Sequence, residues 1–300
     1  MYDGVLIIRK EKGFTSNDVV QVLRGILKQK KIGHTGTLDP DAEGVLPVCL
    51  GHATKLAEML TAQEKEYEAG IRLGITTDTQ DMTGNVLQES SMLIGFEQLK
   101  AAADSFLGDY MQTPPMYSAV KISGKKLYEI ARKGREIDRP ARKVTIYSLE
   151  LADYDFPQAR LNVSCSKGTY IRTLCHDIGQ KLGCGACMSS LVRIRSGRFT
   201  LDQALTLNQV KAMKEAGEIE EKILSLEELL SDLPAIRVSS PGAHRMLRNG
   251  NRIPIRDLQA DPSGCKDGQL VRAYDGDGVL TGVYQCRESD LTFHAYKMFI

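Results

Sequence analysis

Val5-Leu6-Ile7-Ile8 is a short continuous apolar run, as a buried strand would show, and Gly13 ends the turn after it. Thr15-Ser16-Asn17-Asp18 then offers capping groups ahead of Val19, Val20, Val22, Leu23, Ile26 and Leu27, which recur at helical spacing. Residues 45–50 predict a second strand and 53–63 a helix. Residues 67–73 predict a strand with Tyr67, Ala69, Ile71 and Leu73 on one face. Helical patterns over 96–106, 127–132 and 170–182 interleave with strand-like runs over 144–151, 160–165 and 190–199. That interleaving predicts a mixed α/β sheet protein of the α+β kind.

The pattern changes late in the chain. Glu215, Glu218, Glu220, Glu221, Glu227, Glu228 and Asp232 crowd a stretch that reads as a solvated helix ending at Pro234. A domain boundary is expected there, dividing the chain into 1–233 and 234–300. Beyond it, 241–247 predicts a short helix closed by Asn249-Gly250. Strands are expected over 270–274, 279–287 and 291–299, with Asp275-Gly276-Asp277-Gly278 as a hairpin turn. The second unit is thus small and mostly β.

Composition narrows the function by exclusion. With 39 Lys+Arg against 38 Asp+Glu in 300 residues, total charge points to no polyanionic partner, so only local charge can. Seven irregularly spaced cysteines in a chain of this length fit a reducing, cytoplasmic setting. Cys184-Gly-Ala-Cys187 has the spacing of half a zinc site but lacks the second half, so no metal is expected. No glycine-rich phosphate-binding motif occurs, and no nucleotide cofactor is expected. The apolar run at 5–8 is too short for a signal peptide or a membrane span. Nothing suggests coiled-coil or repeat assembly, and a monomer is expected.

The segment from Lys31 to Val48, KIGHTGTLDPDAEGVLPV, sets carboxylates and a histidine among glycines and prolines that no regular element would use. Glycine permits close backbone approach and proline fixes φ, so the segment reads as a loop that holds Asp39 in one place. Asp-Pro and Asp-x-x-Gly also make ordinary turns, which is the plainer reading. As a whole, however, the segment resembles the signature of the bacterial tRNA pseudouridine-55 synthases, the TruB family. The resemblance implies a pseudouridine synthase fold with a mixed, largely antiparallel sheet, followed by a PUA-like domain that grips the acceptor end of tRNA. It also implies that Asp39 is the catalytic residue and that no cofactor or metal takes part.

Four further segments resemble the family's other motifs in its order. Lys65-Glu66-Tyr67 resembles Lys-x-Tyr, which implies that Tyr67 stacks on the target uracil and Lys65 serves substrate binding. Glu66 departs from the arginine often found there. Thr77-Asp78-Thr79-Gln80-Asp81 with Gly84 resembles Thr-Asp-Thr-x-Asp-x-x-Gly, and Pro114-Pro115-Met116-Tyr117-Ser118-Ala119-Val120-Lys121 resembles Pro-Pro-x-x-Ser-Ala-x-Lys. Ser166-Lys167-Gly168-Thr169-Tyr170-Ile171-Arg172 resembles a segment whose arginine pairs with the catalytic aspartate and whose tyrosine lies against it. The roles implied are a pair of Arg172 with Asp39, Asp81 on the far side of Arg172, and Tyr170 in the pocket. Leu191 aligns with a pocket-lining leucine. Without the resemblance, Tyr67 and Leu191 would read as core residues and Arg172 as one half of a surface ion pair.

His34 precedes Asp39 by five positions. In the family this histidine stacks where the flipped uridine used to be, which implies a role in holding extruded RNA, without proton transfer. Between Lys121 and Lys143 nine basic residues outnumber three acidic ones. A solvated helix face is the plain alternative, but the stretch coincides with the family's RNA-binding insertion, which implicates Lys121, Arg132, Lys133 and Arg135 in phosphate contacts.

The sequence therefore predicts a tRNA pseudouridine synthase acting on uridine 55 of the T stem-loop, with tRNA as its partner. Asp39, Arg172 and Tyr67 are its catalytic candidates. Two rivals remain at this level. A glycoside hydrolase could use Asp39 with Asp41 or Glu43 as a carboxylate pair. A noncatalytic tRNA-binding or folding protein could use the same basic surface and stacking groups without chemistry.

Overall fold

The computed structural model of the chain describes residues 1–122, 124–259 and 265–300. β1 (Gly4–Lys10) is the first apolar run, buried at every position but Arg9. α1 (Ser16–Leu27) begins with a capping box: the Thr15 hydroxyl accepts from Asp18 N–H at 3.1 Å, and Thr15 N–H donates to the Asp18 carboxylate at 2.8 Å. β2 (Ile32–His34) and β3 (Glu43–Leu50) follow. The apolar stripe of α1 packs on Leu6 and Ile8 of β1 and on Leu46, Val48 and Leu50 of β3.

The helix predicted over 53–63 is broken in two, a 3-10 segment (Gly51–Leu56) and then α2 (Ala57–Thr61). Asp3 fixes the start of the first piece: its carboxylate accepts the His52 N–H at 2.5 Å, and Gly51 takes φ +57° where an added Cβ would meet that carboxylate. β4 (Lys65–Leu73) buries Tyr67, Ala69, Ile71 and Leu73 as the alternation predicts. Next come the hairpin β5 (Ile75–Thr77) and β6 (Val86–Glu89), then α3 (Phe96–Asp104) and β7 (Gly108–Gln112). A second hairpin, β8 (Lys121–Ile122) and β9 (Lys125–Lys126), leads into α4 (Leu127–Ala131). β10 (Arg142–Asp155), β11 (Gln158–Cys165), α5 (Ile171–Leu182), β12 (Ala186–Ser196) and β13 (Phe199–Thr200) complete the first sheet and its cover.

That sheet has nine strands, with the order β1-β3-β12-β4-β11-β10-β7, β2 on β3 and β13 on β12. Only β12 with β3 runs parallel, so the sheet is mixed and largely antiparallel, as expected from the sequence. The parallel contact is two residue pairs long, Val192 with Glu43 and Arg193 with Gly44. It joins the two halves of the sheet where the Asp39 loop ends. α3 and α5 cover one face through Leu99, Ala103, Leu174, Cys175 and Ile178.

The acidic stretch is not one solvated helix. α6 (Leu207–Ala216) ends at Gly217 in the left-handed region, a 3-10 turn follows (Ile219–Lys222), and Ser225 caps the short α7 (Leu226–Leu229). Buried Ile219, Leu229 and Leu230 pull the chain back onto the core between its acidic positions, which a single straight helix could not do.

The second sheet is formed by β14 (Ala235–Arg237), β15 (Ile253–Pro254), β16 (Leu270–Tyr274), β17 (Leu280–Arg287) and β18 (Thr292–Met298), in the order β14-β16-β17-β18-β15. α8 (Pro241–Arg248) packs on it through Ala243 and Leu247. At the predicted hairpin the Asp275 carboxylate accepts the N–H groups of Asp277 and Val279 at 3.0 Å. Val283 and Phe299 pack with Val5, Ile7 and Leu56, so the two sheets share a hydrophobic cluster.

Ile178 is fully buried where α5 meets the sheet. Ile178→Ala should lower the unfolding free energy by about 2–5 kcal/mol, read as a lower midpoint in urea at unchanged slope.

Candidate active site

The Asp39 loop is fixed from below before it presents anything. Leu38 is buried, and its N–H and C=O both bond the Ser16 hydroxyl, at 2.9 and 3.3 Å. The Lys10 ammonium donates to the carbonyls of Pro40 at 3.0 Å and Ala42 at 2.6 Å. Gly44 closes the loop at φ +109°, where an added Cβ would lie 2.2 Å from the Arg193 carbonyl oxygen. Only glycine fits that approach.

Arg172, on the first turn of α5, meets the loop from the other side. Its Nε lies 2.9 Å from Asp39 Oδ2, and its Nη2 donates to Asp39 Oδ1 at 3.2 Å. The Nε approach is off the N–H direction, so the Nη2 bond is the aligned one. The remaining donors reach the carbonyls of Thr79 at 2.9 Å and Tyr117 at 2.8 Å. Asp81 Oδ2 lies 3.6 Å from Nη1. Asp81 is itself held by the hydroxyls of Thr79 at 2.7 Å and Thr83 at 2.6 Å and by Thr83 N–H at 3.0 Å. Arg172 thus ties three motif segments to one carboxylate.

Asp39 is largely enclosed by protein, with 37% of its side chain reaching solvent. Burial pushes its carboxyl above the ordinary value, Arg172 opposes that, and Asp81 adds to it. Tyr67 is buried beneath the loop with Leu38, Ala42 and Leu191. Burial raises its phenol, with Arg193 opposing. Tyr170 caps α5 half-buried; burial raises its phenol, and Ser118 and Arg172 oppose. Burial and the Arg193 charge lower the His34 imidazole, so that ring is neutral near pH 7.

The structure therefore brings Asp39, Arg172, Asp81, Tyr67, Tyr170 and Leu191 together, with His34 on the adjoining β2. Lys65 lies in other surroundings than the motif suggests. Only 5% of it is exposed, and its ammonium donates to the carbonyls of Thr61 at 2.6 Å and Gln63 at 2.5 Å, which occupies two of its three donors. Glu66 is turned to the other face of β4, where its carboxylate meets Arg195 at 2.6 Å. Lys121, Arg132, Lys133 and Arg135 are exposed, on the second hairpin and the segment after α4. Arg132 and Lys126 both lie over the Tyr128 ring, at 5.3 and 5.4 Å.

A family model described as the TruB family pseudouridylate synthase N-terminal domain matches residues 24–171, and a tRNA pseudouridylate synthase B C-terminal domain matches residues 172–233. A tRNA pseudouridine synthase B from Lachnoclostridium phytofermentans is 43% identical, covering 99% of this chain and all of that one. The chain belongs to the TruB family. Another such synthase, from Alkaliphilus oremlandii, is 47% identical over 84% of this chain and 83% of its own. Among solved structures, a Cbf5-Nop10-Gar1 complex superposes with TM-score 0.75 at 27% identity, covering 99% of this chain and 85% of that one. An H/ACA RNP bound to a substrate RNA containing 2′-deoxyuridine gives 0.73 at 25% identity, with the same coverage.

Placed in a TruB fold, several site residues were not singled out from the sequence. Arg193 and Lys10 are buried beneath the loop, and Gln112 bonds both the N–H and the C=O of Tyr170, at 2.8 and 3.0 Å. Arg193 shares the strand face of Leu191, so a charge at an inward position was the available signal. Among the described residues one His/Asp cluster could hold a cation, His244 with Asp275 and Asp277, but Arg248 already occupies Asp275 at 2.9 Å.

The electrostatics of Asp39 can be read directly by 13C NMR titration of its carboxyl. In the wild type it should titrate above an ordinary aspartate. Arg172→Ala removes the group favouring the anion and should move the midpoint further up; Asp81→Asn removes a like charge and should move it down. No shift in either variant would mean that burial alone sets the site.

Proposed function

We propose that this chain isomerises uridine 55 in the T loop of tRNA to pseudouridine, with Asp39 as the catalytic carboxylate. The observation that carries the reading is the Arg172 guanidinium, buried and shared between Asp39 and Asp81, which fixes one carboxylate near Tyr67 and Tyr170. The relatives' names supply tRNA as the substrate class. The reaction breaks the C1′–N1 bond, turns the freed uracil and rejoins it through C5. Arg172 favours the ionised form of Asp39 against the cost of its enclosure. As an anion beside the ribose, Asp39 can attack C1′, stabilise positive charge there or take a sugar proton.

The target base must leave its stack, which costs a few kcal/mol. Tyr67 in the pocket and a neutral His34 in the vacated position would each return on the order of 1–3 kcal/mol by stacking. The exposed cations after Lys121 suit phosphate contacts, because Lys121, Arg132, Lys133 and Arg135 make no ion pair among the described residues. Glu66 does not weaken this reading, since Arg195 offsets its charge on the opposite sheet face. The unit from 234 onward, a PUA-like module in this scheme, would grip the acceptor end.

Tritium release from a tRNA transcript labelled at uridine C5 tests the chemistry. Wild type should release label from the T-loop uridine, and Asp39→Asn should release none while binding tRNA as tightly. Tight binding without release by either protein would instead identify a noncatalytic tRNA-binding protein. Salt dependence tests the surface. Neutralising Arg132, Lys133 and Arg135 together should flatten the log–log slope of affinity by roughly 0.9 per lost phosphate contact, and an unchanged slope would remove this stretch from the interface.

A further inference from the structure

Four cations are buried around Asp39: Lys10, Arg193, Arg172 and Lys65 are 0%, 1%, 4% and 5% exposed. Two carboxylates, Asp39 and Asp81, face them within ion-pair distance, and both belong to Arg172. Among the described residues no carboxylate lies within 4.0 Å of Lys10, Lys65 or Arg193. The three ammonium and guanidinium groups instead donate to backbone carbonyls. Burying charge without a counterion is costly, and neutral donors would satisfy the same carbonyls.

Arg193 is the centre of this surplus. It stands opposite Tyr67 in the β12–β4 register, and its charge bears on Lys10, Lys65, His34 and Tyr67. Its Nε donates to Val45 at 2.8 Å and its Nη2 to Gly36 at 3.3 Å, the two ends of the loop that carries Asp39. An RNA phosphate cannot reach a side chain enclosed this far. Asp39, Glu43 and Asp41 act on Lys10 from beyond ion-pair distance, and a further anion that meets Arg193 directly has to form inside the pocket.

The proposed reaction forms one there. When C1′–N1 breaks, the bonding pair stays with the base, leaving a uracil anion spread over N1, O2 and O4. Asp39 either bonds C1′ or takes the C2′ proton. In the second half C5 supplies the pair that rejoins C1′, Asp39 is released or returns its proton, the C5 proton leaves and N1 takes one up. We propose that Arg193 is a positioning residue for this step: it braces the Asp39 loop at both ends, and its uncompensated charge behind Tyr67 stabilises the detached uracil anion. The proposal rests on the isomerase reading above.

The test compares single-turnover loss of the N1-linked nucleoside in transcripts carrying uridine or 5-fluorouridine at the target position. Fluorine withdraws electrons, so the fluorinated base leaves more easily and needs less help from the protein. Removing one preorganised charge from such a site costs roughly 10²–10³ in rate, so Arg193→Gln should lose that much with uridine and about tenfold less with 5-fluorouridine. Arg193→Lys should restore most of the rate, and tRNA affinity should hold in both variants. Equal losses for the two bases, or for Gln and Lys, would reduce Arg193 to a brace and overturn the charge role.

Should Arg193→Gln not fold, the wild type still decides. With a transcript abasic at the target, free 5-nitrouracil, ionised at mildly alkaline pH, should bind more tightly than neutral uracil. Equal binding overturns the proposal. Wild-type conversion of uridine separates the two readings: conversion with a negative result above leaves the isomerase standing without Arg193, and no conversion removes both.

Discussion

The contact between Arg172 and Asp39 is the constraint around which this chain is organised. A guanidinium this deeply buried needs every donor occupied, because a charge stripped of water and left unpaired would cost several kcal/mol. The two Nη groups of Arg172 meet that demand with groups from three distant segments: the Asp39 carboxylate, the Thr79 carbonyl beside Asp81, and the Tyr117 carbonyl ahead of the second hairpin, while Nε lies against Asp39 without an aligned bond. The same bonds that satisfy Arg172 define where those segments sit. Fold and site are therefore one problem here.

The sheet makes the meeting possible. β12 is the hinge of the arrangement, antiparallel to β4 on one side and parallel to β3 for two residue pairs on the other. That short parallel contact brings Gly44 against the Arg193 backbone, so the loop leaving β2 must return at a fixed height above the strand that carries Leu191 and Arg193. Ser16 and Lys10 then bond the loop backbone and spare its carboxylate, leaving Asp39 free to meet Arg172. Function is carried by a loop, but precision comes from strands.

How much of this was readable in the sequence differs by kind of residue. The alternation Tyr67, Ala69, Ile71, Leu73 gave a buried strand face because period two has one physical cause, and the glycines around Asp39 marked a loop because few other structures need them. The 3-10 start at Gly51 was not readable, since the Asp3 carboxylate that anchors it lies 49 positions from the His52 N–H it accepts. Nor was the fate of the acidic stretch, where isolated apolar residues such as Ile219 outweigh a run of glutamates. Lys65 reads as an RNA-facing cation in a motif, yet short-range carbonyls from Thr61 and Gln63 capture it. Buried Arg193 was hidden for a related reason. Sequence patterns treat charge as exposed, so the period-two placement of Arg193 with Leu191 was the one hint, and the register of β12 against β4 shows it turned inward.

That inward turn separates two uses of positive charge in one molecule. Exposed cations such as Arg132 and Lys133 keep their water and act over a screened distance of about 8–10 Å at physiological salt, which suits holding a polyanion without choosing among its atoms. Buried ones keep no water, so their field is strong over a few ångströms and reaches only what enters the pocket. A tRNA that docks on the first set would gain little from the second until a base is extruded into the pocket and its bond to the sugar begins to break. The buried charge then adds little to binding and most to the transition state, which is the condition under which an interaction accelerates a reaction instead of merely retaining its substrate.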